Sequence, residues 1–383
     1  VALMMMKGVV TIADCNGASG TGQVQIVQVL QSDGATARAI HDLTVFPKLV
    51  VGDTVLMNTT AESLGLGTGG YHFIHAILEK HSVSAAAALS GEGHIMKLRY
   101  TSLQRAVLAA EEPDSPHHKT LAGRRTLERM PVLIGELHSM LPAAVCWLRQ
   151  LAEETQRGVR ELRIAYIMTD GGALPLSISR HAARLSELGW LAGTVTYGHA
   201  YGGDLETVNK FTALLAARHV LHCDIAIVIM GPGIVGTGTI YGCSGLEVGE
   251  LINAVHALKG VPVIIPRISF ADPRERHRGI SHHTLTALTD AALTPCSLNL
   301  PLIPSTRESM LLMRQSQQYE LGRLHRLQWM TAPAAGEMEA ALKPYGEPIT
   351  SMGRGLADDP AFFAAVCCAA SAAYRQYLKG RGC

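Results

Sequence analysis

Residues able to do chemistry recur in this chain just beyond five apolar runs between Pro131 and Phe270. Glu136 and His138 follow the first run, and Thr169-Asp170-Gly171-Gly172 follow the second. His199 and then Tyr201-Gly202-Gly203-Asp204 follow the third. The fourth leads into the loop Gly231-Pro-Gly-Ile-Val-Gly-Thr-Gly-Thr239, with Ser244 beyond it. The fifth carries Arg267, Ser269 and Asp272, then Arg274, Arg276, Arg278, Ser281, His282 and His283. Carboxylates and imidazoles supply acid and base partners. Backbone amides of a glycine loop and arginine side chains supply anion contacts.

The candidates for catalysis are Asp170, His199, Asp204, Arg267, Asp272 and His282. Asp170 or His199 would be the base and Arg267 the stabiliser of charge. Asp204 is equally well explained as a helix N-cap. The candidates for ligand binding are Gly171, Gly172, Gly203, Gly231, Gly233, Gly236, Thr237, Gly238 and Ser244. Their loop lacks the lysine of a Walker A motif and the spacing of a dinucleotide fingerprint, so the alternative is a tight strand-to-helix connection. The run Arg274, Arg276, Arg278 either clamps an anion or forms a solvated, ion-paired loop. His138, His199, His282 and His283, with Glu136 and Asp170, could assemble a metal site. No pair has the HExxH spacing, however, and no residue is assigned to a metal from sequence. No GxSxG elbow is present.

The elements that must position these residues follow from pattern. Continuous β-branched runs at 131–134, 162–168, 193–197, 224–230 and 261–268 read as strands buried on both faces. Helices are expected at 140–155, 176–188, 204–220 and 246–259, with Ser244 as a cap and Gly260 as a stop. Such alternation predicts an α/β fold with a doubly wound, mostly parallel, Rossmann-like sheet, in which strand-end loops gather at the ligand edge. Before it, short strands at 9–12, 24–27, 35–40 and 54–57, with a turn at Asp33-Gly34, predict a small β-barrel. The expected layout is therefore a barrel at 1–80, a connector at 81–129 and an α/β domain at 130–383. In the connector, 111–126 reads as a surface loop. Lys97, Arg99 and Tyr100 would roof the site if the barrel packs over it. Helices at 306–328 and 360–378 complete the chain.

The 383 residues have a formal net charge of +1, which provides no basic footprint for nucleic acid or a membrane surface. Charged residues are 17% of the chain, below the roughly 25% of ordinary soluble domains. A homo-oligomer, most simply a dimer, is the expected assembly. No apolar run approaches the length of a membrane span, and no leader pattern is read at the start. The eight cysteines form no CxxC pair, so a reducing cytoplasm is the expected home. Adjacent Cys367 and Cys368 read as small core residues or as a redox pair.

The stretches LGLGTGGYHF (64–73), GHIMKLRYT (93–101), EEPDSPHH (111–118), ELHSMLPA (136–143), MTDGGALP (168–175), GHAYGGDLE (198–206), MGPGIVGTGT (230–239), RISFADPRERHRGISHH (267–283) and MGRG (352–355) resemble a bacterial family of uncharacterised proteins, a domain of unknown function. That resemblance covers nearly the whole chain and implies no activity. In layout alone, a barrel before an α/β domain is similar to substrate-binding subunits of glycine and sarcosine reductases. Those mature by self-cleavage to a pyruvoyl group beside a cysteine. Only Cys146 lies in a comparable region here, without the cleavage motif.

The sequence thus points to a protein, more readily an enzyme than not, that binds a small anionic, phosphorylated or nucleotide-like molecule at the carboxyl edge of its sheet. A non-enzymatic sensor or interaction scaffold and a metal-assisted hydrolase are the alternatives. No cofactor is identified.

Overall fold

A computed structural model describes residues 3–14, 24–66, 69–81, 93–155 and 161–380. The chain divides between residues 91 and 92 into two compact units. In the first, strands β1 (Met5–Ile12), β2 (Val24–Gln31), β3 (Thr36–Asp42), β4 (Thr54–Asn58) and β5 (Tyr71–Glu79) form a separate five-stranded sheet. Strand β1 pairs with both β2 and β4, and β5 with both β3 and β4, so every strand has two partners. Val10, Val27, Val29, Ala39, Leu49, Val55, Met57 and Ile74 fill its interior. The connectors expected at 83–93 and Gly65–Gly70 lie partly outside the described residues.

The second unit opens with the hairpin β6 (Ile95–Lys97) and β7 (Arg105–Val107). Its centre is an eight-stranded sheet built from β8 (Pro131–Gly135), β9 (Ile164–Thr169), β10 (Gly193–Tyr197), β11 (Leu205–Thr207), β12 (Ile225–Met230), β13 (Val261–Ile264), β16 (Ser297–Leu302) and β17 (Arg326–Thr331). The spatial order is β11-β10-β9-β12-β8-β13-β16-β17, and all seven pairings are parallel. A side hairpin, β14 (Ile268–Ser269) with β15 (Gly279–Ile280), stands beyond β13.

The continuous apolar runs are explained by two cores, one on each face. Along β12, Ala226 and Val228 join one cluster while Ile225, Ile227 and Ile229 join the other, the two-residue period of a pleated strand. Each such side chain, fully buried, contributes roughly 1.5–3 kcal/mol of transfer free energy. The helices Met140–Thr155, Arg180–Glu187 and Pro360–Gly380 cover one face, and Lys210–His219 and Glu247–Ala257 cover the other. Neighbouring strands β8 and β12 thus send their connections to opposite faces. In parallel α/β sheets such divergence is where a ligand crevice forms at the carboxyl ends of the strands.

Several elements differ from expectation. The segment 204–220 is not one helix: β11 comes first, and Lys210–His219 follows, capped by Asn209, whose side chain accepts from the Phe211 and Thr212 amides. Asp204 therefore caps no helix. Its carboxylate accepts from the Thr194 amide and hydroxyl, both at 2.8 Å, and holds the chain against the sheet edge. Likewise 176–188 becomes a 3-10 turn and the helix Arg180–Glu187, N-capped by Ser179. Ser244 is no α-helix cap but opens a 3-10 turn, its hydroxyl accepting from Val235 N at 3.0 Å. The helix expected over 306–328 ends at Gln318, because Glu320 adopts a left-handed φ of 47°, and 326–331 forms edge strand β17. Strand β16 was not read at all. The segment 111–126 is built in: Glu112 accepts from the Ala109 and His94 amides, and Leu121 joins a core.

Candidate functional site

The side chains at the carboxyl edge fall into two groups. The outer group belongs to the loops after β9 and β10. Asp170 Oδ1 accepts from the amides of His199 at 2.7 Å and Ala200 at 3.1 Å. A Cβ on Gly198, whose φ is +64°, would collide with that carboxylate. His199 Nδ1 in turn accepts from Leu98 N at 3.0 Å, which assigns the ring proton to Nε2. Lys97 is buried and donates to Ala200 O and Glu206 Oε2, both at 2.5 Å, so it is a tie within this unit rather than a roof. Gly203 N donates to Thr196 Oγ1, and Gly171 lies against Met230 and Glu247. Asp170 Oδ1, His199 Nδ1 and Asp204 Oδ2 are thus each engaged in shaping loops.

The inner group gathers around Arg267, which is 3% exposed. Its guanidinium lies between Asp272, Nη2 to Oδ2 3.3 Å, and Glu136, Nη1 to Oε1 3.7 Å. The backbone of Arg267 is fixed on both sides, donating to Thr284 Oγ1 and accepting from Ser281 N. Asp272 takes further ion pairs from Arg274 at 2.8 Å and Arg354 at 3.5 Å, and Arg354 also reaches Asp359 at 3.3 Å. Ser269 links the two carboxylates, donating to Asp359 and accepting from Asp272 N. Burial works to raise the Asp272 carboxyl, but hydrogen bonds and charge from Arg274, then Arg267, hold it well below the usual range. Glu136 is the opposite case: burial outweighs Arg267 and pushes it up to about 7.

Three imidazoles adjoin this cluster. The β14–β15 hairpin carries His277, and the helix His282–Thr286 carries His282 and His283 at its start. Their ring centroids are 4.3 to 5.1 Å apart. His277 Nδ1 lies 2.8 Å from Ser281 Oγ, while His282 Nε2 and His283 Nδ1 are buried without a hydrogen-bond partner among the described residues. His283 Nδ1 is 4.0 Å from Glu136 Oε2. Burial first, then neighbouring arginines and histidines, lowers all three, His277 to about 3 and His283 to about 4, so the rings are neutral.

The glycine loop lies over this trio. A Cβ at Gly236 would stand 3.0 Å from His283 Nε2, and one at Gly245 would stand 2.9 Å from Glu136 Oε2. Gly238 lies beside Arg276. The loop closes on itself through Thr237 N to Gly242 O, with Pro232, Gly233, Thr237 and Gly238 exposed and Gly231 buried. Gly172 packs on Leu174. Below it, the helix continues from Thr286 into a π-helical turn, Ala287–Ala291, a feature frequent at functional sites.

The structure thus brings Arg267, Asp272, His282, Gly236, Gly238 and Ser244 into one region, and it sets Asp170, His199, Asp204 and Gly203 in the other. Glu136, His277, His283 and Arg354 belong to the inner group beyond the six catalytic candidates. For Arg354 the signal was the MGRG stretch. For His277 there was none, since it sits inside an arginine-rich run. His138 is elsewhere, bonded to Ser179 and packed on His181 and Tyr166. Cys146 is buried in a helix, where burial pushes its thiol up to about 12. Cys367 and Cys368 are buried, unbridged core residues. Among the described residues no helix is long and apolar enough to cross a membrane.

A cavity of about 660 Å³ opens at the other edge of the sheet, beside Met130, Pro131 and Asp224. Its Arg218 is already paired with Glu128 at 2.6 Å and its His219 bonds Thr126 O, so the convergent buried charges at the carboxyl edge carry the functional argument. No curated protein and no solved structure matches the chain. One family model does, over residues 38–370, and the chain therefore belongs to the family described as Protein of unknown function (DUF3866).

Proposed function

We propose that this protein is an enzyme acting on a small anionic molecule at the carboxyl edge of a doubly wound, Rossmann-like sheet, and that its N-terminal sheet is a small β-barrel. The ring of five doubly paired strands supports the barrel, and the two cores with divergent β8 and β12 connections support the winding.

The observation that carries the enzymatic reading is the Glu136–Arg267–Asp272 assembly. A buried guanidinium held between two carboxylates is costly to desolvate and is tolerated where its charge is used. Among the described residues Glu136 Oε1 makes no hydrogen bond, Arg267 Nη1 standing at 3.7 Å, which suits a group that receives one from a substrate. Arg274, partly exposed, would meet the anion first, held in place by Asp272, which also pairs with Arg354. Asp170 and His199, expected as the base, shape the neighbouring loops in this reading, and Glu136 takes the proton.

Thermal unfolding of the full chain with and without inorganic phosphate, pyrophosphate or a short dicarboxylate tests the reading. At 100 times the dissociation constant, a ligand bound only by the folded state stabilises it by about 2.7 kcal/mol. The unfolding temperature should therefore rise with at least one anion, and Arg274→Ala should remove the rise. No rise with any of the three refutes an anion site here.

A further inference from the structure

We propose that His277, His282 and His283 form a binding site for one divalent transition metal ion of the zinc class, adjoining the anion site. Each ring offers one nitrogen, and the three nitrogens lie within 4.8 Å of one another. Zinc–nitrogen bonds of roughly 2.0–2.1 Å in a tetrahedron set such nitrogens about 3.3 Å apart. Rotation of the partly exposed His282 is the movement that closes the set.

Four observations converge on these rings. His277 and His283 are 1% and 4% exposed, yet among the described residues His283 Nδ1 has no hydrogen-bond partner, and neither has the buried His282 Nε2. Buried imidazole nitrogens normally find one. Ser281 occupies His277 Nδ1, which leaves Nε2 as the free donor and supplies the supporting bond that metal-bound histidines almost always have. Ser281 Oγ also accepts from the backbone amide of His283, so one hydroxyl ties the His277 ring to the start of the helix that carries His282 and His283. The Gly236 backbone lies close against the His283 ring, a Cβ there standing 3.0 Å from Nε2.

Imidazole-only donors fit zinc, copper, nickel or iron and disfavour magnesium and calcium, which require oxygen. Three protein ligands are the complement of a catalytic rather than a structural zinc, leaving one position for water or substrate. Arg267, Arg274 and Arg276 lie near enough to act on these rings, so a bare dication is opposed by charge and an anionic fourth ligand relieves that opposition. This inference therefore rests on, and deepens, the anion-site reading: it makes the reaction a metal-assisted one on an anionic substrate. The two are coupled, each ligand raising the affinity of the other by the same factor.

Cobalt is the probe, because its visible absorption reports a tetrahedral nitrogen site. Metal-stripped full-length protein is titrated with cobalt(II) chloride, with and without inorganic phosphate, and thermal unfolding is recorded on the same samples. The expected result is one equivalent bound per chain with tetrahedral absorption, displaced by zinc. His282→Ala should lose that equivalent while retaining the unfolding temperature of the metal-free protein. His277→Gln is the second variant and should lose it too. Absence of a bound equivalent, or its survival in both variants, overturns the metal site. If phosphate still raises the unfolding temperature in that case, the anion reading stands alone. Bound cobalt without any response to phosphate supports the metal site and removes the anion reading.

Discussion

At the scale of single residues, the decisive fact is that Arg267 is buried between two carboxylates, and an apolar replacement would take from buried Glu136 its arginine and from Asp272 one of three. Removing one partner of a buried ion pair costs about 3–5 kcal/mol. Arg267→Met should therefore lower unfolding free energy in urea by that order, whereas Arg278→Ala, on the exposed part of the same run, should change it by less than about 0.5 kcal/mol. A pH response follows from His138. Burial, then the charge of His181, depresses it to about 3. The unfolded chain takes up a proton near the ordinary histidine value of 6.5 and the folded chain does not. The stabilisation is complete above about pH 6.5 and fades as pH falls towards about 3, by a few kcal/mol in all. His138→Gln cannot titrate, so urea midpoints measured from pH 7 to pH 4 should fall less steeply in that variant. An equal slope would remove His138 as the cause.

At the scale of elements, the site depends on how closely helix Glu247–Ala257 approaches the π-helical turn. A Cβ on Gly249 would stand 2.5 Å from Ala291 Cβ and 2.8 Å from Ala287 O. Gly249→Ala gains about 1 kcal/mol of helix propensity but overpacks a contact whose relief costs about 1–3 kcal/mol. The expected sum is a net loss in unfolding free energy, measured by urea titration, together with weaker cobalt uptake, since the turn continues the helix that carries His282 and His283. A stabilised variant would show that the two elements separate freely. The helix Thr306–Gln318 plays a similar part for the β14–β15 hairpin, because Gln315 bonds Arg278 O and Ile280 N.

At the scale of the whole molecule, the unit from residue 92 contains the parallel sheet, both of its cores and every residue of the inner group. Expressed alone, residues 92–383 should unfold cooperatively and take up cobalt as the full chain does, as judged by calorimetry and by the same absorption titration. Aggregation or non-cooperative melting would mean that the N-terminal sheet is needed for this unit to fold. The dimer expected from the low charged fraction is checked by sedimentation velocity.

What the sequence determined by itself was the sheet. The runs at 131–134, 193–197 and 224–230 are continuous and β-branched, and only a strand covered on both faces buries every residue of such a run. The carboxyl edge followed, because parallel strands must all send their connections out from the same end. Edge strands β11 and β17 escaped, since half-exposed strands such as Arg326–Thr331 carry polar residues that read equally well as helix. The site itself was settled by tertiary structure. Asp170 and Asp204 look like catalytic carboxylates in a string of letters, and only the position of the His199 and Thr194 amides shows that one oxygen of each is engaged in holding a loop. Glu136 and His283 come from loops far apart in the chain, and their proximity depends on β8 and β13 lying side by side. Burial then completes the chemistry: it raises Glu136, keeps the three imidazoles neutral and leaves two of their nitrogens without partners.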